Sequence, residues 1–359
     1  MNILFDIGHP AHVHLYRNTI GKLKENGYKV VVTVKEIPSA IELLKIYNIP
    51  YLSLGKKFDH ILLKGLSQLK YNYNLLRIVR KEKIQIAVGS SITITHVSRF
   101  TRMFSIVLDD DDANAVVLFS CLAHPFAHTI LSPEALKHDR KRNKDITYKG
   151  THELFYLHPN YFTPNPFVLN ELGIKQDDTF FVLRFVAVKA YHDIGAHGLK
   201  TEQKLKIVEA LKPFGRVLIT TEREIEPELE EYALKISPEK IHHLLYYATL
   251  YVGDSQTMTS EAAILGTPAL KCNTFAHKLS VPNMLEDPYD LCYSYQPEEF
   301  DLLIQKVNTL LLIPGLKKWW ENKRNKFLKD SINPTEFLIW FIENFPSSIK
   351  TMKENPDFK

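Results

Sequence analysis

The stretch Tyr251-Val-Gly-Asp-Ser-Gln-Thr-Met-Thr-Ser-Glu-Ala-Ala-Ile-Leu-Gly-Thr-Pro-Ala-Leu270 decides the fold. Leu250, Tyr251 and Val252 read as the buried end of a strand, and Gly253-Asp254-Ser255 as a turn. A short helix over 257–265 follows. Gly266 suits its C-cap, and Thr267-Pro268 leads into another strand. Such a turn brings backbone N–H groups and hydroxyls to a helix N-terminus, where an anion such as a diphosphate is stabilised. Glu261 lies further inside the helix. A carboxylate there is a poor phosphate ligand but a good acceptor for two sugar hydroxyls. Phosphate and ribose together predict a nucleotide-sugar site.

Outward from this motif the chain alternates short apolar strands with helical segments. Strands are expected at 2–6, 29–34, 51–54, 84–88, 104–108 and 128–131, with helices at 12–26, 39–47, 62–83 and 94–101 between them. Continuous apolar strands interleaved with helices indicate a parallel, doubly wound sheet. Charged residues crowd 137–149, and Pro159, Pro164 and Pro166 follow, so this region reads as the passage between two domains. The pattern then restarts with strands at 179–183, 217–221, 250–252 and 269–272. The expected fold class is α/β, with two doubly wound Rossmann-like domains. The division is 1–165, 166–330 and a crossing helix with a frayed tail over 331–359. No internal sequence repeat is visible.

The 359 residues, 45% of them hydrophobic, suffice for two cores at roughly 100–200 residues per domain. No apolar run approaches the ~20 residues that span a membrane. Met1-Asn-Ile-Leu-Phe-Asp6 enters a strand at once, so no signal peptide is expected. Cys121, Cys272 and Cys292 have no metal-ligand spacing and read as buried free thiols in a reducing cytoplasm. The net charge of +4 is too mild to argue for nucleic acid. Its distribution says more: Lys56, Lys57, Lys64, Lys70, Arg77, Arg80, Lys81 and Lys83 alternate with apolar residues. A basic amphipathic helix of this kind either lies on an anionic membrane surface or shows a solvated basic face. Trp319-Trp320, beside Lys317 and Lys318, reads as packing at the domain seam or as a membrane-edge feature.

Four clusters carry candidate chemistry. Asp6-Ile-Gly8-His9-Pro10-Ala11-His12-Val13-His14 follows the first strand, where ligands bind in doubly wound sheets. A histidine there can act as a general base near neutral pH. His12 is the favoured residue, with His14 beside it. An N-cap, a satisfied histidine and a metal site are the alternatives, although spacing two does not suit chelation. The run Asp109 to Asp112 follows another strand. Asp109 is the candidate for substrate contact and Asp112 for a helix N-cap. No metal is predicted, because no second acidic cluster matches it. Arg184 ends a strand of the second domain and suits bidentate phosphate contact, or an interdomain salt bridge. Lys189 and His192 could assist it. His242-His243 either bound a base pocket or form a solvated pair.

The Gly253-to-Pro268 segment and the paired domains resemble the GT-B glycosyltransferases, whose fold the non-hydrolysing UDP-N-acetylglucosamine 2-epimerases share. Across most of residues 1–310 the chain resembles a bacterial and archaeal family, domain of unknown function 354, whose members open with a similar His-Pro-Ala-His-Val-His loop. The peptidoglycan N-acetylglucosaminyltransferase offers a histidine in a Gly-Gly-His-Val loop, and this resemblance implies His12 as its counterpart. Its Ser-Glu-Ile-Ala-Ala segment implies that Glu261 contacts ribose and that Ser255, Gln256 and Thr257 line the diphosphate. The glycine-rich first loop of that transferase is replaced here by His9-Pro10-Ala11. The expectation is a metal-independent glycosyltransferase that needs no cofactor. A nucleotide-sugar donor, UDP-linked, is its substrate, and the partner is a glycan or lipid-linked acceptor of polysaccharide synthesis. The protein is expected in the cytoplasm, at the inner face of the membrane. The alternatives are a 2-epimerase-like isomerase and a non-catalytic nucleotide-sugar-binding protein.

Overall fold

The structure is a computed structural model and describes residues 1–56, 61–185, 199–221 and 225–356. It divides into two compact units, Met1–Tyr161 with Ser331–Lys359, and Phe162–Asp330. Each holds one parallel sheet covered by helices, as the strand–helix alternation dictates.

In the N-terminal unit β1 (Asn2–Ile7) lies between β2 (Lys29–Glu36) and β4 (Ile86–Val88). With β3 (Leu52–Lys56), β5 (Phe104–Leu108), β6 (Thr129–Pro133) and β7 (Asp145–Tyr148) the order is β3-β2-β1-β4-β5-β6-β7. Strand order reverses between β1 and β4, the topological switch point where open α/β sheets bind ligands. The charged 137–149 stretch is therefore not an interdomain passage. It contains edge strand β7, whose Ile146 and Tyr148 are buried while Asp145 and Thr147 are half-buried. An edge strand can carry polar residues on one face, and that masked its period.

The C-terminal unit has β8 (Phe180–Phe185), β9 (Arg216–Thr221), β10 (Leu250–Gly253), β11 (Ala269–Cys272) and β12 (Cys292–Tyr295), ordered β12-β11-β10-β8-β9. Its switch point falls between β8 and β10, beside the opening motif. Helix α10 (Gln256–Leu265) begins and ends as the sequence predicts. Ser255 is its N-cap, accepting from Met258 N–H, and Gly266 closes it at φ 81°. That left-handed conformation suits glycine.

Several local expectations change. Of the basic helix α3 (Ile61–Glu82), Tyr71, Leu75 and Val79 turn to the core at spacing four, and Lys70, Arg77, Arg80 and Lys81 are exposed. Lys57 and the side chain of Lys64 lie outside the described residues. No helix among the described residues is long and apolar enough to cross a membrane. Trp320 is buried and donates to Leu291 C=O of its own unit at 2.9 Å. Cys121 is exposed, unlike Cys272 and Cys292. The tail is helical over Ser347–Glu354, because Met352 and Ser348 find burial there.

Candidate functional site

Two clusters of functional side chains form, each at the carboxyl ends of strands within its own unit. In the C-terminal unit, Gly253 ends β10 so close to β8 that a Cβ there would stand 2.4 Å from Arg184 C=O and 2.7 Å from Tyr251 Oη. No other residue type permits this approach. Asp254 N–H then donates to Arg184 C=O at 3.1 Å, and Asn273 Nδ2 donates to Asp254 C=O at 2.9 Å. These bonds fix the turn that launches α10, and the first N–H groups of a helix have no intrahelical acceptors.

Arg184 sits within β8, one residue from its end, not in a loop beyond the strand. Its Nη1 donates to Thr220 Oγ1 at 2.9 Å, a contact within the unit. Lys189 and His192 lie outside the described residues. At the start of α10, Thr257 is exposed and Gln256 is half-buried. Gln256 Oε1 accepts from Lys271 Nζ, while Gln256 Nε2 is buried without a hydrogen-bond partner. Lys271 is buried in β11, and burial pushes its pKa down to about 8. Sequence reasoning missed this residue. Its signal was a lone lysine in the apolar strand Ala269-Leu270-Lys271-Cys272.

Glu261 is buried in α10, about one and a half turns from its start. Its Oε1 meets His242 Nε2 at 2.9 Å, and both side chains are almost fully buried. His242 belongs to α9 (Ile241–Tyr247). The two histidines of that helix therefore separate: His242 faces Glu261, and His243 stacks on Phe162 with ring centroids 4.9 Å apart. Neither is a solvated surface residue pair of the kind the sequence allowed.

In the N-terminal unit, α1 (Pro10–Glu25) starts two residues earlier than expected, with His9 as N-cap and Pro10 at N1. His12 Nδ1 accepts from Gly8 N–H at 3.2 Å. A neutral imidazole that accepts through Nδ1 carries its proton on Nε2 and presents a donor there. Burial, with His9 and His152 nearby, pushes its pKa down to about 3. In this arrangement the ring offers an N–H from Nε2. His14 is corrected. It is buried between Tyr47 and Tyr156, within 3.3 Å of Tyr47 Oη, and serves packing.

Asp109 is corrected as well. Its Oδ2 accepts from His124 Nε2 at 2.7 Å and Arg140 Nη2 at 2.8 Å, and Oδ1 accepts from Asp111 N–H at 3.3 Å. Arg140 also donates to Ser132 Oγ and Asp111 C=O. This buried carboxylate is engaged in tying β5 to β6, with both oxygens already accepting hydrogen bonds. Asp112 does not cap a helix side chain to backbone. The next helix, Val117–Ala123, has Val116 at its N-cap, and Asp112 stands 3.6 Å from His138. The neighbour sequence reasoning passed over is Asp110. Its Oδ1 lies 3.1 Å from Nδ1 of His152, a buried residue following β7. His152 was invisible because the strand before it went unrecognised.

With this geometry in place, the comparisons with known proteins are informative about fold. A UDP-N-acetylglucosamine 2-epimerase from Neisseria meningitidis, solved bound to UDP-N-acetylglucosamine, is similar at a TM-score of 0.65, with 13% identity and 99% of each chain covered. A glycosyltransferase from Rickettsia africae matches at a TM-score of 0.61, with 11% identity, over 97% of this chain and 98% of that one. At such identities the likeness establishes the α/β architecture that these transferases and epimerases share. In sequence, an uncharacterized protein of Methanocaldococcus jannaschii is 23% identical over 286 residues, 76% of this chain and 82% of the relative. The family model described as protein of unknown function (DUF354) matches residues 1–310, and the chain belongs to that family.

Proposed function

We propose that the protein is a glycosyltransferase that draws a sugar from a UDP-linked donor held by the C-terminal unit. The observation that carries this reading is the start of α10: a capped helix N-terminus at a topological switch point, a buried cation, Lys271, beneath it, and the buried Glu261–His242 pair deeper along the same helix. The diphosphate would meet the N–H groups at Gln256 and Thr257 and the otherwise unpartnered Gln256 amide. Arg184 and Lys271 would supply the positive charge that stabilises the departing diphosphate. Glu261, oriented by His242, would accept from the ribose hydroxyls. His12 would donate through Nε2 to an oxygen of the sugar substrate. A glycan or lipid-linked acceptor fits the exposed basic face of α3, whose Lys70, Arg77, Arg80 and Lys81 suit an anionic membrane surface.

The test is calorimetry with uridine, UDP, UDP-sugars and the adenosine and guanosine counterparts, followed by turnover with and without added glycan acceptors. Tight binding of uridine diphosphates alone, with donor consumption that needs an acceptor, is the expected result. Conversion of UDP-N-acetylglucosamine to its C2 epimer with no acceptor present would make the protein an isomerase instead. Binding that is indifferent to the diphosphate would remove the proposal altogether.

A further inference from the structure

The N-terminal unit contains a group of buried polar atoms that its own hydrogen bonds leave unused. They are His152 Nε2, Tyr148 Oη and Thr151 Oγ1. His152, Tyr148 and Tyr16 are each more than nine-tenths buried. Asp110 pairs with His152, their contact atoms 3.1 Å apart, and its charge acts on both Tyr148 and Tyr16, the latter hydrogen-bonded to Ser90. The chain brings them together from distant points: Tyr16 from α1, Asp110 from the end of β5, and Tyr148 and His152 from the end of β7. Buried polar atoms are normally paired, and several unpaired ones around a charge pair need a physical reason.

We propose that these residues form a binding site within the N-terminal unit for a hydroxylated ligand of the saccharide class, in which His152 Nε2 hydrogen-bonds a ligand hydroxyl. Tyrosine hydroxyls donate and accept, as imidazole Nε2 does in its two states, and this matches the alternating character of sugar hydroxyls. Asp110 fixes Nδ1–H as the donor and leaves Nε2 to face the ligand. When neutral, the ring accepts the ligand's O–H on Nε2; when protonated, it donates Nε2–H to the ligand oxygen, and Asp110 stabilises that form. Asp110, Glu153 and Asp109 raise the His152 pKa against the opposing effect of burial. Tyr16 and Tyr148 are held neutral by burial, and His12 faces the same group in its uncharged form. For the identity of the ligand this inference rests on the transferase reading, under which the hydroxyl belongs to the acceptor.

The experiment uses the full chain with isotope-labelled histidine and follows the His152 ring signals across pH, with and without N-acetylglucosamine or methyl glucoside. The expected midpoint lies above the ordinary histidine value and drops below it in Asp110→Asn. Saccharide should move the His152 signals, and Tyr148→Phe should weaken that response about tenfold. Its melting temperature should not fall, because the lost hydroxyl makes no bond in the free protein. If neither saccharide moves the His152 signals, the atoms hold ordered water only and the inference is wrong. A melting temperature that drops in Tyr148→Phe equally overturns it, by revealing a structural hydroxyl. UDP calorimetry on the same samples separates the two readings. UDP that binds while His152 stays silent removes this inference alone. His152 that answers to sugar where UDP fails to bind supports it and removes the nucleotide reading.

Discussion

Replacing Glu261 by alanine tests the nucleotide reading most directly. The carboxylate lies 2.9 Å from His242 Nε2, and the two side chains are 8% and 3% exposed. Truncation leaves His242 buried without this partner, which costs ~1–3 kcal/mol, and the space it vacates adds to that. A total of about 2–4 kcal/mol corresponds to a melting temperature lower by roughly 5–15 °C for a unit of this size. Those figures describe any buried pair. The functional part is separable by a cycle with 2′-deoxy-UDP. A hydroxyl bonded to a charged group contributes ~1.5–3 kcal/mol, about 10- to 150-fold in affinity. Wild-type protein should therefore prefer UDP over 2′-deoxy-UDP by at least about tenfold, and Glu261→Ala should bind both equally and weakly. Isothermal titration at a temperature where both variants are folded reads the four affinities. If the alanine variant keeps the full preference for the ribose hydroxyl, Glu261 is a structural partner of His242 and nothing more.

Gly253→Ala should destabilise the C-terminal unit by ~1–3 kcal/mol, read by chemical denaturation, because its Cβ would collide with the β8 backbone at 2.4 Å and push α10 from its place. Arg140→Ala should cost ~3–5 kcal/mol by the same measurement, since it removes the guanidinium paired with buried Asp109. Lys271 gives a pH signature. Its folded pKa of about 8 lies below the unfolded value of about 10.4, so between those limits the unfolded chain binds more protons and stability rises with pH. Diphosphate needs the charged form, so UDP affinity should fall as pH climbs through 8, while Lys271→Met should show neither trend.

The sequence carried the architecture because architecture here is local. Short apolar strands, alternating with helices that end at Gly27 and Gly266, announce a parallel sheet. The exception is β7. Its edge position lets Asp145 and Thr147 reach partial exposure, so the strand merges with the charged residues before it. That one omission hid His152, whose chemistry depends on where β7 ends. Lys271 was hidden differently. Charge in a strand reads as an exposed face, and only the capping of Gln256 by its Nζ reveals why burial is tolerated.

The site residues were harder, because residue type does not say whether a functional group is already spent. Asp109 and Asp110 are adjacent and chemically identical. Successive side chains at a strand end point to opposite sides, so the first meets Arg140 and His124 and the second meets His152. One carboxylate accepts from a guanidinium and an imidazole; the other orients an imidazole whose far nitrogen has no partner. The same logic divides His12 from His152. A single backbone N–H, that of Gly8, fixes which nitrogen of His12 holds the proton and makes Nε2 the donor. A carboxylate on Nδ1 does the reverse for His152: it raises the ring's pKa against the effect of burial and leaves Nε2 without a partner. Function in this chain is therefore set by the second partner of each titratable group. That partner arrives from a distant strand, where only the folded topology can place it.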